Sequence, residues 1–152
     1  MTTTQPARHR EQRRQDVLDR LAQDDDLWVA TASPGGEPCL VPLSFVWDRG
    51  TILMCTRRTN PTARNLTPAG EARVSLGHTR DVVLIEGTAE PVEGSALATE
   101  SADAFAAKLG GWDPRDRTSW VYLRLTPRTV KAWREENELP ERELMRDGAW
   151  LV

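Results

Sequence analysis

Lysine, tyrosine, phenylalanine and cysteine are all scarce in this sequence of 152 residues. Lysine occurs only at Lys108 and Lys131, so arginine carries almost all of the positive charge. The two cysteines, Cys39 and Cys55, do not form a Cys-x-x-Cys pair, which argues against a zinc site and favours free thiols in a reducing compartment. With a net charge of −3, the chain lacks the overall positive field of nucleic-acid-binding domains. We therefore expect neither a metal site nor a nucleic-acid partner.

Long apolar runs are also missing. The longest covers about residues 82–85, far short of a transmembrane helix, and the first residues lack the apolar core of a secretory signal. We therefore expect a cytoplasmic protein with no membrane partner. The sequence contains no Walker phosphate loop, no Ser-His-Asp order and no paired-carboxylate pattern, so nothing in it indicates a hydrolase. His78 has no Cys or His at metal-ligand spacing, and we expect no role for it.

The sequence does contain a series of short apolar segments separated by turn residues. They predict strands at 27–32, 37–47, 51–56, 72–76, 82–92, 120–125 and 129–134. Helices are predicted at about 11–23, 61–69 and 97–109. Six or seven strands with few helices predict a small, mainly antiparallel barrel rather than alternating βαβ units. We expect one domain over residues 11–152, preceded by a flexible segment over residues 1–10.

The junction between the third predicted strand and the helix after it, residues 55–66, is the stretch most suggestive of function. Asn60 suits a helix N-cap, and Pro61 suits the first helical position. Unpaired amides at a helix start favour an anion, and Arg57, Arg58 and Arg64 would add donors. The other interpretation is a solvated basic loop that does nothing more than begin an ordinary helix.

The second predicted strand is apolar on both faces, which predicts that both faces are buried. Pro42 cannot donate to a β-ladder, so it predicts a strand edge or a bulge, either beside a ligand or without one. Six tryptophans are unusual beside two phenylalanines and one tyrosine. We expect most of them in the core. Trp112, in a loop between glycines and Pro114, is a candidate lid.

Several segments occur in a distinctive order along the chain. They are 27–31 (LWVAT), 36–38 (GEP), 47–52 (WDRGTI), Thr56, 64–66 (RNL) and 85–92 (IEGTAEPV). In this order and spacing they resemble the pyridoxamine 5′-phosphate oxidase-like split β-barrel family, whose members bind FMN or the deazaflavin coenzyme F-420. The resemblance covers about residues 27–92 and weakens beyond them. It implies a fold that is mainly β with α, a split β-barrel of six to seven mostly antiparallel strands with two to four short helices.

The resemblance also implies a homodimer with the cofactor at the subunit interface. It places the ring beside the second strand and the phosphate or ribityl-like chain at the 55–66 junction. Related sequences often have a lysine, or an arginine–lysine pair, where this chain has Pro61 and Thr62, so a neighbouring arginine would have to replace it. The ring would be bordered by Pro42, Leu43 and Ser44, and the phosphate or chain would be held by Thr56, Arg57, Thr62 and Arg64. The full candidate set for cofactor binding is Pro42, Leu43, Ser44, Cys55, Thr56, Arg57, Arg58, Thr62, Arg64 and Asn65.

The leading functional hypothesis is a flavin- or deazaflavin-dependent oxidoreductase that transfers a hydride between FMN or F-420 and a small organic substrate. The arginine-rich composition leans slightly to F-420, because it suits the high-GC bacteria in which many such relatives occur. No catalytic side chain is assigned, since in such enzymes the cofactor carries the redox chemistry. An alternative is a non-catalytic protein that binds or senses a flavin, haem or a haem breakdown product. A third possibility is a domain whose tryptophans mediate protein association.

Overall fold

The computed structural model describes residues 5–152. Three α-helices cover Arg10–Gln23 (α1), Pro61–Asn65 (α2) and Thr99–Lys108 (α3), and a 3-10 helix covers Glu136–Glu138. The strands are β1 Asp26–Ala32, β2 Pro38–Asp48, β3 Thr51–Arg57, β4 Gly70–Leu76, β5 Val82–Val92, β6 Trp120–Trp133, β7 Glu143–Arg146 and β8 Ala149–Trp150.

The first six strands close into an antiparallel barrel. The sheet order is β3-β2-β1-β4-β5-β6, and β3 pairs again with β6 to complete the ring. β7 and β8 extend the sheet beyond β6. The predicted fold class, a mainly β split barrel with attached helices, is confirmed.

Alternating side chains of the barrel strands fill its interior. Leu27 and Val29 of β1, Phe45 of β2 and Ile52 of β3 are at most 2% exposed. Val17 and Leu21 of α1 join the same cluster, as the helical spacing of the apolar residues predicts. Burying a side chain of this size contributes about 1.5–3 kcal/mol relative to leaving it in water.

A second apolar cluster lies outside the barrel, beneath α3. Leu53 of β3 and Tyr122 of β6 face Phe105 and Ala102 of α3 there. Ser101 of the same helix face donates a hydrogen bond of 2.7 Å to Asp48. One face of α3, with Ser101, Ala102 and Phe105, is therefore buried. The strands β2, β3 and β6 consequently bury one face in the barrel and part of the other under α3.

The β5–β6 pair contains one clear difference from the predicted strands. The two segments predicted at 120–125 and 129–134 form one continuous strand that runs through Pro127. The register shifts between Glu86 and Gly87 of β5, because β6 has one extra residue, Arg128, between their partners Thr129 and Pro127. A Cβ on Gly87 would lie 2.2 Å from the carbonyl oxygen of Thr126. β6 continues through Pro127 because it bulges there and Gly87 allows the two backbones to approach closely.

The arginines near the N-terminus tie α1 to the C-terminal segment. The guanidinium of Arg8 donates to both carboxylate oxygens of Glu138, at 2.9 and 2.7 Å. Arg13, which is buried, donates to the carbonyl oxygens of Glu138 and Glu141. The hydrogen bonds from Arg8 hold the pKa of the Glu138 carboxyl at about 2. The segment predicted to be flexible covers residues 1–10, of which residues 1–4 lie outside the described part of the chain. In the rest of the segment, Arg8 makes the contacts given above, and α1 begins at Arg10.

Two burial predictions were wrong. β2 is buried only in its second half, whereas Leu40 is 63% exposed and Pro42 is also exposed. Among the six tryptophans, Trp28 is 48% exposed and the other five are half-buried at the margins of the clusters. Helical and strand periodicity predicts which face of an element is apolar, but it does not predict whether another element covers that face.

Candidate functional site

The barrel is split where β2 and β3 separate. The two strands pair only between 45–48 and 51–54. The first half of β2, residues 38–44, pairs with β1, and the end of β3, residues 55–57, pairs with β6. Within the described residues, one backbone edge of 39–44 therefore has no strand partner. Pro42 lies on this segment, so its predicted position at an edge is confirmed.

α2 lies at the split and is fixed there by both apolar and polar contacts. Ala63 and Leu66 enter the barrel core, at no more than 1% exposure. The Sγ atom of Cys39 lies 3.7 Å from the Oγ1 atom of Thr62, and Asn65 donates a hydrogen bond of 3.0 Å to Thr31. Thr62 is only 2% exposed, so the position where relatives often carry lysine lies against β2 in this chain.

The start of α2 differs from the predicted anion site in one respect. Asn60 is the N-cap residue and Pro61 the first helical residue, as predicted. However, the side-chain amide of Asn60 donates to Thr56 Oγ1 at 2.9 Å and does not cap the helix. The helix has only five residues, so few peptide dipoles are aligned behind its N-terminus. An anion at this junction would depend mainly on the arginine side chains.

The three arginines of the junction are not equivalent. Arg58 donates to both oxygens of Glu93, at 2.6 and 2.7 Å, and to the carbonyl oxygens of Thr118 and Trp120. The hydrogen bonds from Arg58 lower the pKa of the Glu93 carboxyl. In contrast, neither Arg57 nor Arg64 has a side-chain hydrogen bond or an ion pair within residues 5–152.

Arg117 is the only other arginine of the described chain without such a partner. It is exposed in the loop that leads into β6. Since almost every other guanidinium is engaged, the two free ones at the split are unusual for this molecule. Their five N–H donors each remain available to an anion.

A cleft of about 430 Å³ opens beside α2. This volume is within the range of about 300–1,000 Å³ that is common for small-molecule sites. Arg64 and Asn65, both predicted site residues, form one wall. The lining residues are Ser33, Glu37, Pro38, Cys39, Pro61, Arg64 and Asn65.

The remaining candidate residues divide between the two faces of their strands. Pro42 and Ser44 lie on the outer face of β2, where Ser44 donates to Asp26 at 2.7 Å. Leu43 alternates with them and packs against the barrel core, and Thr56 is buried at 3% exposure. Arg57 lies on the outer face at the end of β3. The structure therefore brings backbone and side chains of β2, β3 and α2 together around the split.

Two predicted residues are directed elsewhere. Cys55 is 6% exposed and packs with Tyr122 beneath α3, where burial raises the pKa of its thiol to about 12. It therefore remains a neutral thiol within the core. Arg58 is engaged by Glu93 and by the carbonyl oxygens of Thr118 and Trp120, as described above. Neither side chain lines the cleft.

Trp120 and five of the seven residues that line the cleft were not among the predicted site residues. Glu37 and Cys39 line the cleft, and Trp120 lies under the guanidinium of Arg57, whose Cζ is 4.9 Å from the ring centroid. The alternation of β2 could have indicated Cys39, since it shares a strand face with Leu43, which was among the predicted residues. Trp120 was not predictable in this way, because its pairing with β3 joins segments more than sixty residues apart.

Within residues 5–152, no group of three or more His, Cys, Asp and Glu side chains is arranged to hold a metal ion. None of the helices there is both long and apolar enough to cross a membrane.

The sequence of residues 14–134 matches the family model described as pyridoxamine 5′-phosphate oxidase. The chain belongs to the pyridoxamine 5′-phosphate oxidase family. Since the match extends from α1 to the last residues of β6, it includes all six barrel strands and the split. No curated protein sequence matches the chain.

Solved structures with the same split barrel agree with this family membership. A conserved hypothetical protein of Mycobacterium tuberculosis is 19% identical, with a TM-score of 0.64 over 90% of this chain and 92% of that one. An F420 reductase is 18% identical, with a TM-score of 0.56 over 74% and 93%. HutZ, a haem storage protein of Vibrio cholerae, is 14% identical, with a TM-score of 0.58 over 88% and 96%. At these identities the similarity concerns the fold.

Proposed function

We propose that this member of the pyridoxamine 5′-phosphate oxidase family is an oxidoreductase that binds FMN or F-420 at the split and acts on a small organic substrate. The observation that carries the proposal is the pair of free guanidinium groups at the split, Arg64 on the wall of the cleft and Arg57 at the end of β3, in a fold shared with an F420 reductase. Guanidinium groups bind phosphate oxygens with two parallel hydrogen bonds. They would take the role that lysine often has in related sequences.

The residues present fit such a cofactor. The unpaired edge of 39–44 offers backbone donors and acceptors to the rim of a planar ring, and Pro42 and Ser44 border it. Arg57 and Arg64 would hold the phosphate, and Asn65 keeps α2 in place through Thr31. The cofactor supplies hydride transfer when bound. The chain supplies binding, orientation and exclusion of water.

The proposal includes a homodimer with cofactors at the subunit interface. Trp28 lies opposite Pro42 and Ala30 opposite Leu40 on the outer face of β1 and β2. With Trp28 at 48% and Leu40 at 63% exposure, these side chains form an apolar patch that no helix of the described chain covers. Contiguous exposed apolar surface of this kind often marks an interface. The patch adjoins the split, so a second copy bound there would border the cofactor.

The cytoplasmic location favoured by the sequence is part of the same proposal. Both cysteines are free thiols, which suits a reducing compartment.

The test is a fluorescence titration of the purified protein with FMN and, separately, with F-420, together with native mass spectrometry of retained ligand. We expect saturable quenching at micromolar concentration for one of the two cofactors. Reoxidation of the reduced, bound cofactor by quinones or nitro compounds would establish turnover. Absence of saturable binding to both cofactors at high micromolar concentration would contradict the proposal.

A second candidate function is non-catalytic binding of haem or a haem breakdown product. It is favoured by Cys39, whose thiol belongs to a type that ligates haem iron and which lines the cleft, and by the similarity to HutZ. Titration with haemin would then give a Soret band that Cys39→Ser alters. A reduced flavin that no acceptor reoxidises would likewise favour a sensor over an enzyme.

A further inference from the structure

We propose that Trp120 is a positioning residue for Arg57, and that it holds the guanidinium ready to receive the anionic group of the cofactor. The inference rests on the proposed function and adds a specific role for a residue outside the cleft. Arg57 and Trp120 are direct partners across β3 and β6, and the guanidinium carbon lies 4.9 Å from the ring centroid.

The kind of contact is what makes this arrangement suitable for anion binding. An ion pair such as that of Arg58 with Glu93 occupies the N–H edges of the guanidinium and neutralises its charge. A contact over the face of an indole places no acceptor atom or opposite formal charge against the guanidinium, so its charge and its N–H donors remain available. Trp120 can therefore restrict Arg57 without competing with an anion. A long side chain that is already restricted loses less rotamer freedom when it binds.

The ring of Trp120 is itself held in place. It meets Trp112 edge to face, with centroids 4.9 Å apart and planes at 77°. Trp112 in turn contacts Phe105 of α3, at 6.1 Å, and Phe105 contacts Tyr122 at 5.3 Å. Trp112, the candidate lid from the sequence, is thus part of an aromatic series that connects α3 to Arg57. This series fixes the surface on which the guanidinium rests.

Arg58 contributes to the same arrangement through the backbone. Its guanidinium donates to the carbonyl oxygens of Thr118 and Trp120, and its amide donates to the carbonyl oxygen of Ser119. These bonds secure the start of β6. Arg58 thus anchors the start of β6, which carries Trp120, and Arg57 lies over the indole of Trp120.

Other arginine–tryptophan contacts in the described residues have a different character. Arg14 lies 4.7 Å from the ring of Trp150, and it also donates to the carbonyl oxygen of Val152. Arg142 lies 5.9 Å from Trp133 and donates to Leu139. In both cases a donor of the guanidinium is used within the chain. Arg57 is the stacked arginine whose donors are unused, which is the arrangement expected of a ligand-binding side chain.

The experiment is a double-mutant cycle on cofactor binding. Dissociation constants for FMN and F-420 are measured for the wild type, Trp120→Leu, Trp120→Phe, Arg57→Ala and the two double variants. We expect Trp120→Leu to weaken binding roughly fivefold, as cation–π contacts at exposed sites permit, and Trp120→Phe to retain most of the affinity. In the Arg57→Ala background, Trp120→Leu should cause no further loss. Trp133→Leu is the matched control and should leave binding unchanged.

A second readout observes the contact directly. In the NMR spectrum, the Nε–Hε resonance of Arg57, identified by its loss in Arg57→Lys, should be displaced by the indole ring current relative to that of Arg64. The displacement should disappear in Trp120→Leu. This measurement on the wild type decides the geometry even if the leucine variant fails to fold.

Two results would overturn the inference and leave the proposed function standing. One is an equal loss of affinity on Trp120→Leu with and without Arg57. The other is an undisplaced Arg57 resonance in a wild-type protein that binds cofactor. A wild type that binds neither FMN nor F-420 would overturn the proposed function, and the role of Trp120 with it.

Discussion

At the scale of residues, the arginines around the split differ in what they already bind. Arg58 is saturated by Glu93 and by carbonyl groups before β6, whereas Arg57 and Arg64 keep their donors free. A spacing of arginines in a sequence cannot distinguish these states, because the acceptors come from segments more than thirty residues away. The sequence therefore indicated the junction as a candidate site and could not rank its arginines.

The difference between Arg58 and the two free arginines gives a prediction for single substitutions. Arg57→Ala and Arg64→Ala should each weaken binding of the preferred cofactor by about 1.5–3 kcal/mol, the scale of hydrogen bonds to charged groups. Arg58→Ala should weaken binding by less than about 1 kcal/mol, because Arg58 binds no anion itself and acts on the site only by securing the strand that carries Trp120. Isothermal titration with each variant measures the difference. A larger loss for Arg58→Ala than for the other two would contradict this assignment.

At the scale of elements, the segment before α1 and the 3-10 helix after β6 are joined by buried polar contacts. Glu138 is 2% exposed and accepts hydrogen bonds from the backbone and guanidinium of Arg8 and from the amide of Arg134. These bonds depress the pKa of Glu138 from 4.5 to about 2. The arginine-rich N-terminal sequence thus serves to attach the C-terminal segment to the barrel.

The depressed pKa predicts how stability depends on pH. A group whose pKa is lower in the folded state stabilises it fully above the unfolded value of 4.5, and this contribution is lost as the pH falls towards 2. We expect the free energy of unfolding to lose about 3 kcal/mol over this range through Glu138. Urea unfolding of the wild type and Glu138→Gln at pH 7, 5, 4 and 3 would measure it.

In that comparison, Glu138→Gln should have a lower free energy of unfolding than the wild type at pH 7. Between pH 5 and pH 3, its free energy of unfolding should fall less than that of the wild type. Glu136→Gln, an exposed substitution in the same 3-10 helix, is the control and should follow the wild type. Parallel pH profiles for the wild type and Glu138→Gln would mean that this carboxylate does not stabilise the fold.

The predicted helices and strands agree with the structure where the local sequence pattern alone determines the element. β5 has the predicted bounds, Val82–Val92, because its alternation and β-branched residues are strong. β6 was predicted as two strands, since Pro127 ends a strand unless it lies at a bulge, and the bulge at Arg128 depends on pairing with Glu86 and Gly87 of another segment. The same limit applies to Asn60, whose amide binds Thr56 across the turn instead of capping α2. Local sequence predicts elements well and the partners of their polar groups poorly.

At the scale of the whole molecule, the barrel leaves one apolar face of β1 and β2 uncovered next to the split. The homodimer proposed above would cover Trp28 and Leu40 and would bring a second chain to the cofactor. The sequence pattern predicted that both faces of β2 are buried. Within a single chain that prediction was wrong, and an interface between two copies would bury the second face.

The dimer gives a prediction about assembly. Leu40→Asp should convert the protein from dimer to monomer and weaken cofactor binding, because a charge would be buried in the interface. Leu151→Asp changes another exposed leucine, 39% accessible, and should affect neither property. Sedimentation velocity with and without cofactor measures both variants. A wild type that is monomeric at every concentration tested would contradict the dimer.

The measurement that tests the central claim most directly compares FMN with riboflavin, which has the same ring and chain but no phosphate. If free arginines at the split hold the phosphate, the wild type should bind FMN at least about tenfold more tightly than riboflavin, equivalent to about 1.4 kcal/mol. For F-420, the matching comparison uses the form without phosphate. The double variant Arg57→Ala/Arg64→Ala should bind both forms of the preferred cofactor alike. Equal affinities in the wild type, or an unchanged preference in the double variant, would contradict the account.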